Sequence, residues 1–153
     1  MRATLDANFL ASAFLAKSGF CDEILQLMVI RGIEIVLCGE IIAEFKNVLS
    51  RKEVKKRFDY SNRNVDYFVW KIKKTSNIIK LESHFKVVKD DPADDIIINC
   101  AYDGKVDYMI SSDKHLKRLK GFKGIQILSP KEFFDILVKD FDVDDIMISY
   151  FST

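Results

Sequence analysis

The stretch DPADDIIINCAYDGKVDYMISSD, residues 91–113, decides how this chain folds. Asp91 is a good N-cap and Pro92 suits a first helical position, so Asp91-Pro-Ala-Asp94 opens a helix that runs to about Asp103. Residues Asp107–Ser111 then read as a strand, and Asp113 follows it directly in Ser111-Ser112-Asp113. At 3.6 residues per turn, Asp94 shares a stripe with Ile98 and Ala101 and is flanked by Ile97, whereas Asp95 falls nearer Asn99 and Tyr102. A carboxylate on a buried stripe costs several kcal/mol unless it is paired or binds a metal. Capping of the helix dipole explains an acid here, though not why it faces inward.

Working outward, Arg2–Asp6 reads as a short strand ending in an acid. A helical pattern covers Asp22–Val29, Gly32 stops it, and Ile33–Leu37 is a buried strand. A helix over Glu40–Ser50 leads into the basic stretch Arg51–Arg57, and Asn64–Lys74 is a further helix carrying the only tryptophan, Trp70. Ile78–Leu81 and Phe85–Val88 are short extended candidates, Ile125–Leu128 is a strand, and Pro130 starts a last helix through Val138. This alternation predicts a single α/β domain over residues 1–138, with a parallel central sheet and helices on both faces. Residues 139–153 form a C-terminal extension of undecided packing, with four aspartates interleaved among apolar residues.

Composition sets the outer bounds. The 153 residues suffice for one domain with a real core, and 48% hydrophobic with 31% charged residues is an ordinary globular mixture. The net charge of +1 does not mark a nucleic-acid binder, so local charge must carry that argument. Cys21, Cys38 and Cys100 are scattered and only two histidines exist, which disfavours a zinc site and fits a reducing, cytoplasmic setting. No apolar run approaches the roughly 20 residues that span a membrane. Phe9–Ala16 resembles a signal-peptide core, but Asp6 and Asn8 interrupt its approach, so it reads as mature structure.

Two more acids bear on chemistry. In an open parallel sheet, sites form at the carboxyl ends of strands, where Asp6 and Asp113 both fall. Each reads equally well alone as a turn or cap residue. Glu44 lies beside Ile41 and Val48, with Glu40 one turn earlier, and pattern alone makes it a solvated glutamate of an amphipathic helix. Jointly, several carboxylates with no His or Cys suit a hard cation such as Mg²⁺ or Mn²⁺. Such an ion can activate water for in-line attack on a phosphodiester.

With these residues in place, the chain resembles PIN-domain proteins, and within them the toxin-like branch of VapC-type ribonucleases. The resemblance runs from about Met1 to Val138. It rests on Asp6-Ala-Asn8 after the first strand, Glu44 in Glu40-Ile-Ile-Ala-Glu-Phe45, Asp91-Pro-Ala-Asp94, and Ser111-Ser-Asp113. It implies a Mg²⁺- or Mn²⁺-dependent endoribonuclease, dimeric and neutralised by an antitoxin. Asp6, Asp94 and Asp113 would then be metal ligands and Glu44 a further catalytic acid, with Asn8 and Ser111 hydrogen-bonding those carboxylates from behind. His115 stands where the family often has another acid.

Basic clusters over Arg51–Arg57, Lys71–Lys74 and Lys114–Lys123 offer phosphate contacts. Lys114, Lys117 and Arg118, next to Asp113, are the substrate-binding candidates, whereas Lys71–Lys74 reads as a solvated helix face. Tyr60 and Phe122 are candidates for stacking on a base, against the commoner fate of core packing. A haloacid-dehalogenase-like phosphatase also starts from an acid after its first strand, but Asn8 occupies the place of its second Asp. A non-catalytic PIN-like module that binds RNA or a partner is the alternative that remains.

Overall fold

The computed structural model describes residues 1–88 and 91–139, and the C-terminal extension expected over residues 139–153 lies outside them except for Lys139. Four parallel strands form the middle of the molecule: β1 (Arg2–Leu5), β2 (Glu34–Cys38), β4 (Tyr108–Ile110) and β6 (Ile125–Leu128). β3 (Ser76–Ile79) adds parallel to β2, and β5 (Gly121–Phe122) pairs antiparallel with β6, giving the order β3-β2-β1-β4-β6-β5. Successive strand residues point to opposite faces, and Thr4 and Leu5 are both fully buried. The sheet is therefore covered on both sides, as the α/β reading requires.

The helices explain that coverage. The apolar run after Asp6 is α1 (Ala7–Leu15), which starts there because the Asp6 carboxylate accepts the Phe9 N–H at 2.7 Å. α2 (Phe20–Ile30) and α3 (Gly39–Leu49) pack against it, their apolar stripes turned to the core. The basic stretch after Ser50 is itself helical as α4 (Lys52–Arg57). α5 (Asn62–Thr75) begins two residues earlier than the hydrophobic pattern predicts, because Ser61 and Asn64 form a reciprocal cap. α6 (Pro92–Asp103) lies against β1, β2 and β4, α7 (Lys114–Arg118) turns off the end of β4, and α8 (Pro130–Lys139) closes the domain beside α2.

Several local expectations are corrected. The edge strand β3 starts at Ser76, two residues before the predicted Ile78. Phe85–Val88 is not a strand. Its backbone is satisfied by side chains of α6: the Phe85 N–H donates to Asn99 at 2.8 Å, and those of Val87 and Val88 donate to Asp95 at 2.8 and 2.9 Å. The face of α6 that carries Asp95 and Asn99 thus clasps a passing chain segment.

α6 approaches the sheet closely where it ends. Gly104 is buried against Val36 of β2, and a β-carbon there would sit 2.5 Å from Val36 Cγ1 and 2.9 Å from the Cys100 carbonyl oxygen. Gly104→Ala is expected to destabilise the fold by about 1–2 kcal/mol through overpacking. A urea midpoint lowered at unchanged slope checks this.

Candidate metal centre

The carboxyl ends of β1 and β4 and the N-terminus of α6 meet at one edge of the sheet. A cavity of about 280 Å³ opens there, walled by Asp6, Asn8, Glu40, Glu44, Asp91, Asp94 and Asp113, with Arg51 as the only basic residue among the described ones. All four acids singled out in the sequence reach this cavity, although they arrive on four different elements.

They do not contribute equally. Carboxylate oxygens of Asp91, Asp94 and Asp113 lie within 4.8 Å of one another, a grouping that could hold a metal ion. Asp91, read from sequence only as a helix cap, belongs to this trio, whereas Asp6 stands beside it. The capping is real: Asp91 Oδ1 accepts the Ala93 N–H at 3.0 Å. Asp113 likewise caps α7, Oδ1 accepting the His115 N–H at 2.7 Å. A carboxylate has two oxygens, so capping through one leaves the other for a ligand. The spacing of three residues between Asp91 and Asp94 was the signal, since it puts both at one helix end.

Asp94 is the least satisfied group. Only 9% of it is exposed, and its buried Oδ2 has no hydrogen-bond partner among the described residues. Desolvation, then the charges of Asp113 and Asp91, raise its pKa to about 6 from an ordinary 3.8, against a smaller lowering by His115. Asp6 is equally buried but better served. Ser111 donates its hydroxyl to Asp6 Oδ2 and accepts the Asp113 N–H at 3.0 Å, tying β1 to β4 through one side chain. Burial still pushes the Asp6 carboxyl up, against the hydrogen bonds from Ser111 and Phe9 that lower it.

Glu44 faces the cavity from α3, where Arg51 Nη2 lies 3.6 Å from Oε1 and the Asn47 amide donates to Oε2 at 3.5 Å. Asn8 is an exposed part of the wall. Lys114, Lys117 and Arg118 are not in it: α7 carries them outward, and Lys117 Nζ pairs with Glu132 at 2.8 Å. The cation at the site is Arg51, from the first of the three basic clusters. A larger cavity of about 470 Å³ lies at the far end of α6, beside Asp103. Asp103 accepts the backbone N–H groups of Glu82 and Ser83 at 2.8 and 2.9 Å, and it holds that loop in place.

A PIN-domain family model matches residues 2–115, which spans every element that supplies the cavity. The chain belongs to the PIN-domain family. No curated protein matches this PIN domain in sequence. Among solved structures, it is similar to a chain of VapBC2 from Rickettsia felis, a complex crystallised with a DNA fragment from its promoter. The TM-score is 0.56 at 13% identity, over 84% of this chain and 98% of that one, a likeness of fold. No helix among the described residues of this PIN domain is long and apolar enough to cross a membrane.

Proposed function

We propose that this PIN domain is a divalent-metal-dependent endoribonuclease of VapC type, the cytoplasmic toxin of a toxin–antitoxin pair, acting as a homodimer. The observation that carries the reading is Asp94, whose buried Oδ2 has no hydrogen-bond partner among the described residues and whose carboxylate lies with those of Asp91 and Asp113. Three clustered oxygen donors without nitrogen or sulfur fit Mg²⁺ or Mn²⁺. The orphaned oxygen gives that fit a physical reason, because an unpaired buried carboxylate is costly until a cation neutralises it.

Asp94, Asp113 and Asp91 would hold the ion, with Asp6 at its margin. When bound, the cation supplies Lewis acidity toward a phosphoryl oxygen and toward the attacking water. The chain supplies the rest. Ser111 fixes the Asp6 carboxylate and the Asp113 backbone in one geometry, and Asn8 lines the entrance. Glu44, held by Arg51 and Asn47 on the cavity wall, would orient water. Arg51 is the cation able to meet a phosphate of the incoming strand through paired N–H donors.

Incubation of the purified chain with a panel of single-stranded RNAs tests the activity. Cleavage with Mg²⁺ or Mn²⁺, and none in EDTA, is the expected result. No cleavage of any RNA with either metal would leave a module that binds RNA or a partner without cutting. Arg51→Ala is expected to raise KM for RNA about tenfold to a hundredfold, as the loss of a charge-assisted phosphate contact. Mn²⁺ affinity should be unchanged or slightly stronger, which titration calorimetry would show.

A further inference from the structure

One face of α5 serves neither the core nor the metal centre. Val65, Val69 and Ile72 are buried on its inner side. The outer side carries Arg63, Tyr67, Trp70 and Lys74, which form one stripe at 3.6 residues per turn. Tyr67 is 63% exposed and Trp70 57%. Their rings stack with centroids 6.1 Å apart and planes 23° apart, and Lys74 Nζ lies 5.5 Å from the Trp70 ring centroid. Lys71 and Lys73 flank the stripe, and Asp66 is the one acid on the helix.

Two large aromatic faces in water, framed by cations, match the two needs of an unpaired nucleic-acid strand. Bases gain from stacking on rings, and phosphates gain from nearby Lys and Arg. The stacking candidates read from sequence are otherwise engaged: Tyr60 packs edge-on against Phe14 and donates its hydroxyl to the Leu49 carbonyl, and Phe122 packs against Phe85. A second copy of the chain fits this face less well, because a twofold contact would set its excess of cations against themselves. We propose that the outer stripe of α5 docks single-stranded RNA, with bases on Tyr67 and Trp70 and phosphates on Arg63, Lys71 and Lys74. This rests on RNA being the substrate and extends its path beyond the acidic cavity.

Trp70 is the only tryptophan, so its emission reports on this surface alone. The full chain is titrated with an oligouridylate in EDTA, where no metal-dependent cleavage proceeds. Saturable quenching that weakens with salt is expected. By anisotropy of a labelled oligouridylate, Tyr67→Ala and Trp70→Ala should each lower affinity about fivefold to a hundredfold, and Trp70→Phe far less. Lys74→Ala should flatten the slope of log affinity against log salt by about 0.7. Unchanged thermal melting of these exposed-site variants confirms their folding. Absence of quenching, equal quenching by duplex RNA, or emission that tracks protein concentration alone, as a second copy would cause, overturns the proposal. Quenching without cleavage in the metal assays would sink the ribonuclease reading and keep this surface. Cleavage with oligouridylate affinity unmoved by the alanine variants would sink this surface alone.

Discussion

Asp94→Asn is expected to lower metal-dependent RNA cleavage by about a hundredfold to a thousandfold while leaving the fold intact. Asparagine keeps the size and shape of the side chain, so the packing around Ile97 and Ile98 is unchanged. What disappears is one negative charge at a buried carboxylate whose Oδ2 has no partner among the described residues. Losing a single preorganised group that acts on developing charge typically lowers turnover by about that range. Asp113→Asn is expected to behave similarly, and its cap on α7 survives because asparagine caps as well as aspartate. Asp103→Asn is the internal control. That acid borders the larger cavity at the other end of α6, where it accepts hydrogen bonds from Glu82 and Ser83. It should reduce stability and leave cleavage per folded molecule unchanged. The measurement is initial rate against RNA at saturating Mn²⁺ and Mg²⁺. Wild-type rates in both Asp94→Asn and Asp113→Asn would remove the site from consideration.

The contrast between these two ends of α6 shows what a sequence can and cannot reveal. The inward direction of Asp94 follows from helical period alone, and the structure buries it with Ile97, Ile98 and Ala101. The strand-end positions of Asp6 and Asp113 follow from the alternation of elements. In each case a local periodicity fixes the direction of a side chain. Arg51 is different. Nothing local distinguishes it from its basic neighbours, and only the packing of α3 beside the sheet edge brings its guanidinium to Glu44. Asp91 was legible as a cap and not as a member of the acidic trio, since the second role depends on Asp113 arriving from another strand. Phe85–Val88 has the composition of a strand, yet Asn99 and Asp95 reach its N–H groups, so side chains replace the ladder that composition anticipates. α1 was hidden for a simpler reason: nearly all of its residues are apolar, which leaves no periodic contrast to read.

The same acid proposed to hold the metal ion should weaken the metal-free fold. Burial and the neighbouring acids hold the Asp94 pKa near 6, above the ordinary 3.8. The folded chain therefore binds this proton more tightly than the unfolded chain does. Its favourable contribution is complete below the unfolded value and is lost as pH rises through about 6. In EDTA at pH 7, Asp94→Asn is thus expected to melt higher than wild type, with the difference closing as pH falls toward 4. Metal reverses the order. A divalent ion at a hundred times its dissociation constant stabilises the folded state by about 2.7 kcal/mol. For a chain of this length that is roughly 5–10 °C in Tm. The gain should belong to wild type and be largely absent in Asp94→Asn. It should also shrink below about pH 6, where protons compete with the cation for the same carboxylate. Thermal melts of both proteins across pH 4–8, with EDTA and with Mn²⁺, separate this from surface charge effects, because Asp66→Asn changes net charge equally at an exposed residue outside the cavity. Equal Mn²⁺ stabilisation of wild type and Asp94→Asn would mean that the ion binds elsewhere. The unpartnered oxygen would then be a buried defect and not a ligand.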